Sequence, residues 1–223
     1  MTTQEEFKIN RYIDVKSLLP TDICKIATKY ALLKEKIEFS PELGPEAQVL
    51  GAHSVYGDTL IETLMFFTKP HLEKLTGLEL ALSYTYYRVY RPGSVLARHK
   101  DRASCEISMT TCLGFNYANP KLDYNWGMYV DPDSISKETG PNGEFITNNK
   151  PGKMISQQPG DAIAYRGCEV EHWRDPFEGG PGSYQVQAFF HFVDKNGPFY
   201  PEYEFDRRPG LAYTDATRIT QQR

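Results

Sequence analysis

Two histidines and an aspartate are the residues of this sequence best placed to do chemistry. His99-Lys100-Asp101 falls in a stretch, residues 95–101, that reads as extended. In an extended chain, residues i and i+2 project to the same side, so an imidazole and a carboxylate spaced this way can share one metal ion. Five histidines and 29 acids in 223 residues give less than one His-x-acid pair by chance. A single pair is therefore weak, and its setting has to decide. The other pair, His71-Leu72-Glu73, sits in a helical stretch, where residues two apart do not share a face. A third ligand must come from elsewhere in the chain. His172 is the candidate, on a later strand that follows the turn Pro159-Gly160-Asp161. Two His and one carboxylate form the facial triad of non-haem Fe(II) oxygenases, which leaves positions open on an octahedral ion. Zinc competes for the same donors. Histidines satisfied by ordinary hydrogen bonds are the alternative that needs no metal.

The surrounding elements must position these groups. The first eighty residues read as helical. Thr21 and Asp22 can cap a helix carrying Ile23, Ile26, Ala27 and Tyr30 at i, i+3, i+4, i+7 spacing, ending near Glu38 before Pro41. A second helical stretch starts near Asp58 with Leu60, Ile61, Leu64 and Phe67. Pro70 interrupts it and is expected to begin a further helix, capped by Thr68 and closed by Gly77. The pattern then changes to strands: residues 83–90 (SYTYYRVY), 107–115 (ISMTTCLGF), 126–130, 144–147, 162–167, 169–173 and 185–194. Short strands with frequent turn signals predict a sandwich or barrel. Residues 116–158 read as a hairpin insertion and the tail from Asn196 as a lid or packed extension.

Composition narrows the function. The net charge is −4, too little basic character for binding nucleic acid by charge alone. No apolar run reaches the roughly 20 residues that cross a bilayer, and the opening MTTQEEFKIN is unlike a signal peptide. Cys24, Cys105, Cys112 and Cys168 are scattered with no C-x-x-C pair, which suits free thiols in a cytoplasmic protein.

The order YYRVYRPGSVLARHKD, CEISMTTCLGF, PGDAIAYRGCEVEHW and a final strand ending FFHFVD resembles the prolyl-4-hydroxylase-like branch of the 2-oxoglutarate/Fe(II)-dependent oxygenases. The resemblance covers about residues 78–195. It implies an α+β, mainly β fold: a double-stranded β-helix (jelly-roll) core with N-terminal helices packed on one sheet. The expected organisation is a helical support over residues 1–77, a catalytic core over 78–195 and an extension over 196–223, all one domain. The implied activity is hydroxylation of a substrate C–H coupled to conversion of 2-oxoglutarate and O2 to succinate and CO2, with ascorbate as a possible stimulant. His99, Asp101 and His172 would be the iron ligands by matching position. An aspartate at the carboxylate position, where halogenating relatives have a small residue, implies a hydroxylase. The substrate class is a peptidyl or protein side chain, or a small molecule. A zinc-type jelly-roll hydrolase and a binding module that has lost its cosubstrate are the competing readings.

The chain departs from the family in its cosubstrate site. Relatives hold the far carboxylate of 2-oxoglutarate with a cation on the strand after the distal His, where this chain has Gln185 and Gln187. Arg174, two residues beyond His172, shares its face if the strand continues, and its fork suits a carboxylate. A surface ion pair with Asp175 or Glu178 is the alternative. Arg88, Arg91 and Arg98 are reserves. Tyr90 matches an aromatic that relatives place near iron and cosubstrate. Thr110 and Cys112 are candidate lining residues, Trp126 and Trp173 a candidate substrate wall, and Glu106 a buried hydrogen-bonding partner.

Overall fold

The computed structural model describes residues 2–38, 48–49, 51–118, 123–133 and 150–213. The expected strand at residues 144–147 lies outside them. Chain order is α1 (Thr3–Asn10), β1 (Tyr12–Val15), α2 (Thr21–Glu38), β2 (His53–Tyr56), α3 (Thr59–Thr76), β3 (Leu80–Tyr90), β4 (Leu96–His99), β5 (Ile107–Asn116), β6 (Met128–Asp131), β7 (Lys153–Ile155), β8 (Ala162–Arg166), β9 (Glu171–Arg174) and β10 (Tyr184–Asp194). Two antiparallel sheets result, a six-stranded β1-β8-β5-β10-β3-β2 and a four-stranded β4-β9-β6-β7. Consecutive strands β3, β4 and β5 fall in alternate sheets, which is the crossing pattern of a double-stranded β-helix.

Side-chain alternation divides the large sheet into two unlike faces. On β10, Val186, Ala188, Phe190 and Phe192 join the core under the helices, with Met109 and Leu113 of β5 and Leu64, Met65 and Leu72 of α3. Gln185, Gln187, Phe189 and His191 point the other way, toward the small sheet. The helical stretches expected from Thr21 and from Asp58 do form, with two corrections. The buried face of α2 is Cys24, Ala27, Thr28 and Ala31, while Ile23 and Ile26 are 38% and 62% exposed. That face is rotated by one residue from the apolar stripe because the helix packs close on β5. A Cβ on Gly114 would lie 2.5 Å from the Thr28 hydroxyl, and only small residues fit between. Pro70 does not divide α3, which runs through it from the Asp58 cap to Gly77. Thr68 is no cap; its hydroxyl donates to the Leu64 and Met65 carbonyls. Pro70 and Phe66 are both exposed, so water can satisfy the carbonyl that loses its partner.

Four elements escaped the sequence reading, one of them the three-residue edge strand β7 inside the expected insertion. The first is α1, closed by a capping box in which Glu5 N–H donates to Thr2 Oγ1 and Thr2 N–H to Glu5; the T-x-x-E spacing was its signal. The others, β1 and β2, are edge strands of four residues each, too short for alternation to show. Among the described residues the tail packs down through Ala212, whose N–H donates to Glu62. Asp206 accepts from Tyr56 and from both Nη atoms of Arg102, and Arg208 pairs with buried Glu62 at 2.9 Å. No helix among the described residues is long and apolar enough to cross a membrane.

Candidate metal centre and its cavity

β4 and β9 pair with His99 opposite His172, which places the two imidazoles 4.3 Å apart by ring centroid. Asp101 lies just past β4, its N–H bonded to the Gly167 carbonyl at 2.9 Å. Its Oδ1 is 3.5 Å from His172 Nε2 and 3.7 Å from His99 Nε2, and one donor atom from each residue lies within 4.8 Å of the other two. Both rings are oriented from behind: His99 Nδ1 contacts the Ala97 carbonyl at 2.7 Å and His172 Nδ1 the Val170 carbonyl at 3.0 Å. A carbonyl only accepts, so each Nδ1 carries the proton and each Nε2 can present a lone pair to the shared point. The three donors fit a small divalent cation.

Electrostatics agree with that geometry. Burial alone would raise the Asp101 carboxyl, but His172, His191 and His99 outweigh it and hold the group well below the usual carboxylate range. Burial would lower His172, yet the Asp101 charge and hydrogen bond raise it. His99 is pushed down to about 4 by burial and by its neighbour His172. The negative charge of Asp101 between the two imidazoles is one that a divalent cation would balance.

A cavity of about 340 Å³ opens beside the three residues, lined among others by Tyr86, Arg88, Leu96, Met128, Tyr165 and Phe189. His191 and Cys105 also line it and, with Asp101, form a second group of donors within 4.8 Å. His191 was not assigned from sequence, although its place on the polar face of β10, with Gln185 and Gln187, was readable by alternation.

Arg174 is 1% exposed, so the surface ion pair with Asp175 or Glu178 does not form. Its Nη1 donates to the Trp126 carbonyl at 2.7 Å and its Nη2 to Gln157 Oε1 at 3.0 Å, while Nε finds no acceptor. No carboxylate among the described residues forms an ion pair with it, and burial lowers its pKa. Gln187 is in the same condition: its Oε1 accepts from Thr110 at 3.3 Å, but its Nε2 has no partner. Gln185 accepts from the Tyr117 hydroxyl. The buried Tyr90 hydroxyl accepts from Arg88 at 3.0 Å, and its ring meets Trp126 edge-on at 4.8 Å. None of Arg174, Tyr90, Gln185 and Gln187 lines the open cavity; of the reserve arginines only Arg88 does. Arg98 is held by Glu171 and Asp131, and Arg91 by Glu35. Trp173 alternates away from His172 and stacks on Tyr129 with Arg98 over it, so it forms no wall here. Glu106 is buried and accepts from the Asp194 N–H at 2.9 Å.

No family model and no curated protein matches the sequence. Solved structures do. The epimerase SnoN from nogalamycin biosynthesis, in complex with Fe3+, alpha ketoglutarate and nogalamycin RO, overlays with a TM-score of 0.66 at 13% identity, covering 95% of this chain and 91% of that one. The fold is that of the 2-oxoglutarate-dependent oxygenases. Prolyl hydroxylases are among its neighbours, as the resemblance implied. A Pseudomonas putida prolyl-4-hydroxylase overlays with a TM-score of 0.55 at 15% identity, over 85% of this chain and 96% of its own. A Trichoplax adhaerens prolyl hydroxylase, in complex with a hypoxia inducible factor peptide fragment, does so with a TM-score of 0.57 at 12% identity, over 86% of this chain and 87% of its own.

Proposed function

We propose that this chain is an Fe(II)- and 2-oxoglutarate-dependent dioxygenase that hydroxylates a C–H bond, with His99, Asp101 and His172 as its metal ligands. The observation that carries the reading is the buried guanidinium of Arg174. It follows His172 by two residues on β9, lies within the protein, has no carboxylate of its own and leaves one donor unmet. An unpaired buried charge is costly, and a dicarboxylate reaching inward from the metal would relieve it. Gln187 Nε2, the other donor without a partner, is assigned to the same carboxylate. Gln185 and Tyr90 complete the walls of that subsite.

Iron and 2-oxoglutarate, when bound, would supply the oxidising chemistry with O2: one oxygen atom of O2 would enter the substrate C–H and the other the succinate formed as CO2 leaves. The protein's part is placement. His99 and His172 present Nε2 because their Nδ1 protons are engaged, Asp101 offers Oδ1, and the apolar walls Leu96, Met128 and Phe189 limit water beside the ion. The cavity suits a small molecule or one side chain of a peptide; the relatives named above include one bound to a peptide and one bound to a small molecule. Four free cysteines, three of them buried, suit a reducing compartment such as the cytoplasm.

The deciding experiment measures succinate formed from 2-oxoglutarate with Fe(II) and ascorbate, without added substrate. Slow turnover is expected in the wild type and none in Asp101→Ala or His172→Ala. A wild type that binds divalent metal but neither binds nor consumes 2-oxoglutarate is a binding module, and the reading fails.

A further inference from the structure

We infer that Ser108 and His191 are positioning residues that fix the Asp101 carboxylate in one orientation, with Oδ1 turned to the two imidazoles and Oδ2 held by the large sheet. The inference rests on the metal-site reading above and extends it beyond the three ligands. The Ser108 hydroxyl has four polar neighbours: Asp101 Oδ2 at 2.8 Å, the Cys105 carbonyl at 3.0 Å, His191 Nδ1 at 3.0 Å and the Tyr165 hydroxyl on the paired strand β8. It has one proton to give. A backbone carbonyl and an ionised carboxylate can only accept, and the charged, nearer acceptor takes that proton. The remaining neighbours, His191 and the Tyr165 hydroxyl, therefore have to donate to the two lone pairs of Ser108 Oγ. His191 carries its hydrogen on Nδ1 and gives it to Ser108 Oγ, so the relay runs from His191 through Ser108 to Asp101 Oδ2.

The fold builds this relay in. Ser108 and His191 are direct partners in the β5–β10 register, and the His191 ring is braced by Tyr84 at 4.4 Å. Gly167 closes the other side. A Cβ there would stand 2.2 Å from the Cys105 carbonyl oxygen, 2.5 Å from Asp101 Oδ2 and 2.8 Å from Ser108 Oγ, so only glycine leaves room for both the Cys105 backbone and the held carboxylate. Ser108 thus engages Oδ2, while the contacts of Oδ1 are with the two Nε2 atoms.

The consequence concerns coordination number. A facial triad leaves three positions open only while each ligand gives one atom. A carboxylate free to turn could present both oxygens and occupy a position that the cosubstrate or O2 requires. The relay denies Asp101 that freedom.

The test is calorimetric titration of Mn2+ into the metal-free full chain, with unfolding temperatures recorded in parallel. Ser108→Ala and His191→Phe are expected to weaken Mn2+ binding roughly 10- to 100-fold, as loss of an outer partner does at other metal sites. Ser108→Thr keeps the hydroxyl, and His191→Asn puts an amide N–H near where Nδ1 stood; both should bind within about threefold of wild type. A purely structural role would lower the metal-free unfolding temperature and would not be rescued in affinity by these conservative variants. Should His191→Phe fail to fold, Ser108→Ala decides, because it removes a single oxygen. Wild-type affinity in Ser108→Ala, alongside lost binding in Asp101→Ala, overturns the relay and leaves the metal site standing. Wild-type affinity in Asp101→Ala sinks the metal-site reading, and the relay with it.

Discussion

The two faces of the six-stranded sheet are built from the same strands and obey opposite rules. Toward the helices, β10 presents Val186, Ala188, Phe190 and Phe192, all buried in one continuous apolar core. Toward the small sheet, the same strand presents Gln185, Gln187, Phe189 and His191, and its neighbours add Ser108, Thr110, Tyr84, Arg88 and Tyr90. Of the inner-face residues just named, all but Tyr84 are buried as well. Burial therefore does little to distinguish the faces; the kind of group left unpaired does. The outer face leaves neutral hydroxyls unpaired, those of Thr85 and Thr111 among them. The inner face keeps an amide donor without an acceptor at Gln187, and on β9 of the small sheet the charged Arg174 has an unmet donor too, a condition that protein interiors normally avoid. A face that stays polar, buried and incompletely paired is organised around something other than the fold's own stability.

The contrast breaks if mutations on the two faces have the same consequences. The largest effect is expected on the outer face. Phe190→Ala should cost about 3–5 kcal/mol of stability by leaving a cavity in the core, measured by denaturant unfolding. Its affinity for 2-oxoglutarate, measured on the folded fraction, should stay near wild type. Arg174→Leu should do the reverse. Loss of a buried, charge-assisted carboxylate contact is worth about 2–5 kcal/mol, so apparent 2-oxoglutarate affinity should fall about 30-fold or more while Mn2+ affinity holds. If Arg88→Leu abolishes 2-oxoglutarate binding and Arg174→Leu leaves it intact, the anchor is the cation that lines the open cavity and the subsite must be redrawn.

How much of this was legible depends on whether a feature is local. His99 and Asp101 are near neighbours in the chain, and Arg174 follows His172 by two on one strand, so period-two alternation carried those placements directly. Strands β3, β5 and β10 are long and rich in aromatic and β-branched residues, and their existence was plain. Features set by tertiary approach were not. The buried face of α2 was misread because Thr28 packs against Gly114, a partner 86 positions away whose lack of a side chain draws the helix in. Pro70 misled because a proline on a solvent-facing turn loses only a hydrogen bond that water replaces. The Ser108–His191 pair depends on the register of β5 with β10, which includes a bulge between Val186 and Gln187. No count along the sequence could supply that register.

The smallest predicted effect is also the sharpest on the difference between the faces. Gln187→Leu removes a fully buried amide whose Nε2 has no acceptor. It breaks one side-chain hydrogen bond, the 3.3 Å contact from Thr110. A bond that long contributes little, whereas an unmet buried donor costs about 1–3 kcal/mol, so stability should hold or rise by up to about 1 kcal/mol. Affinity for 2-oxoglutarate should nevertheless drop by about tenfold, the value of one hydrogen bond to a charged group in a closed site. Opposite signs for stability and affinity are what an inner-face residue produces when its unmet donor is kept for a ligand. A loss of stability with unchanged affinity would instead make Gln187 an ordinary packing residue and would assign the unmet donors of this face to the fold.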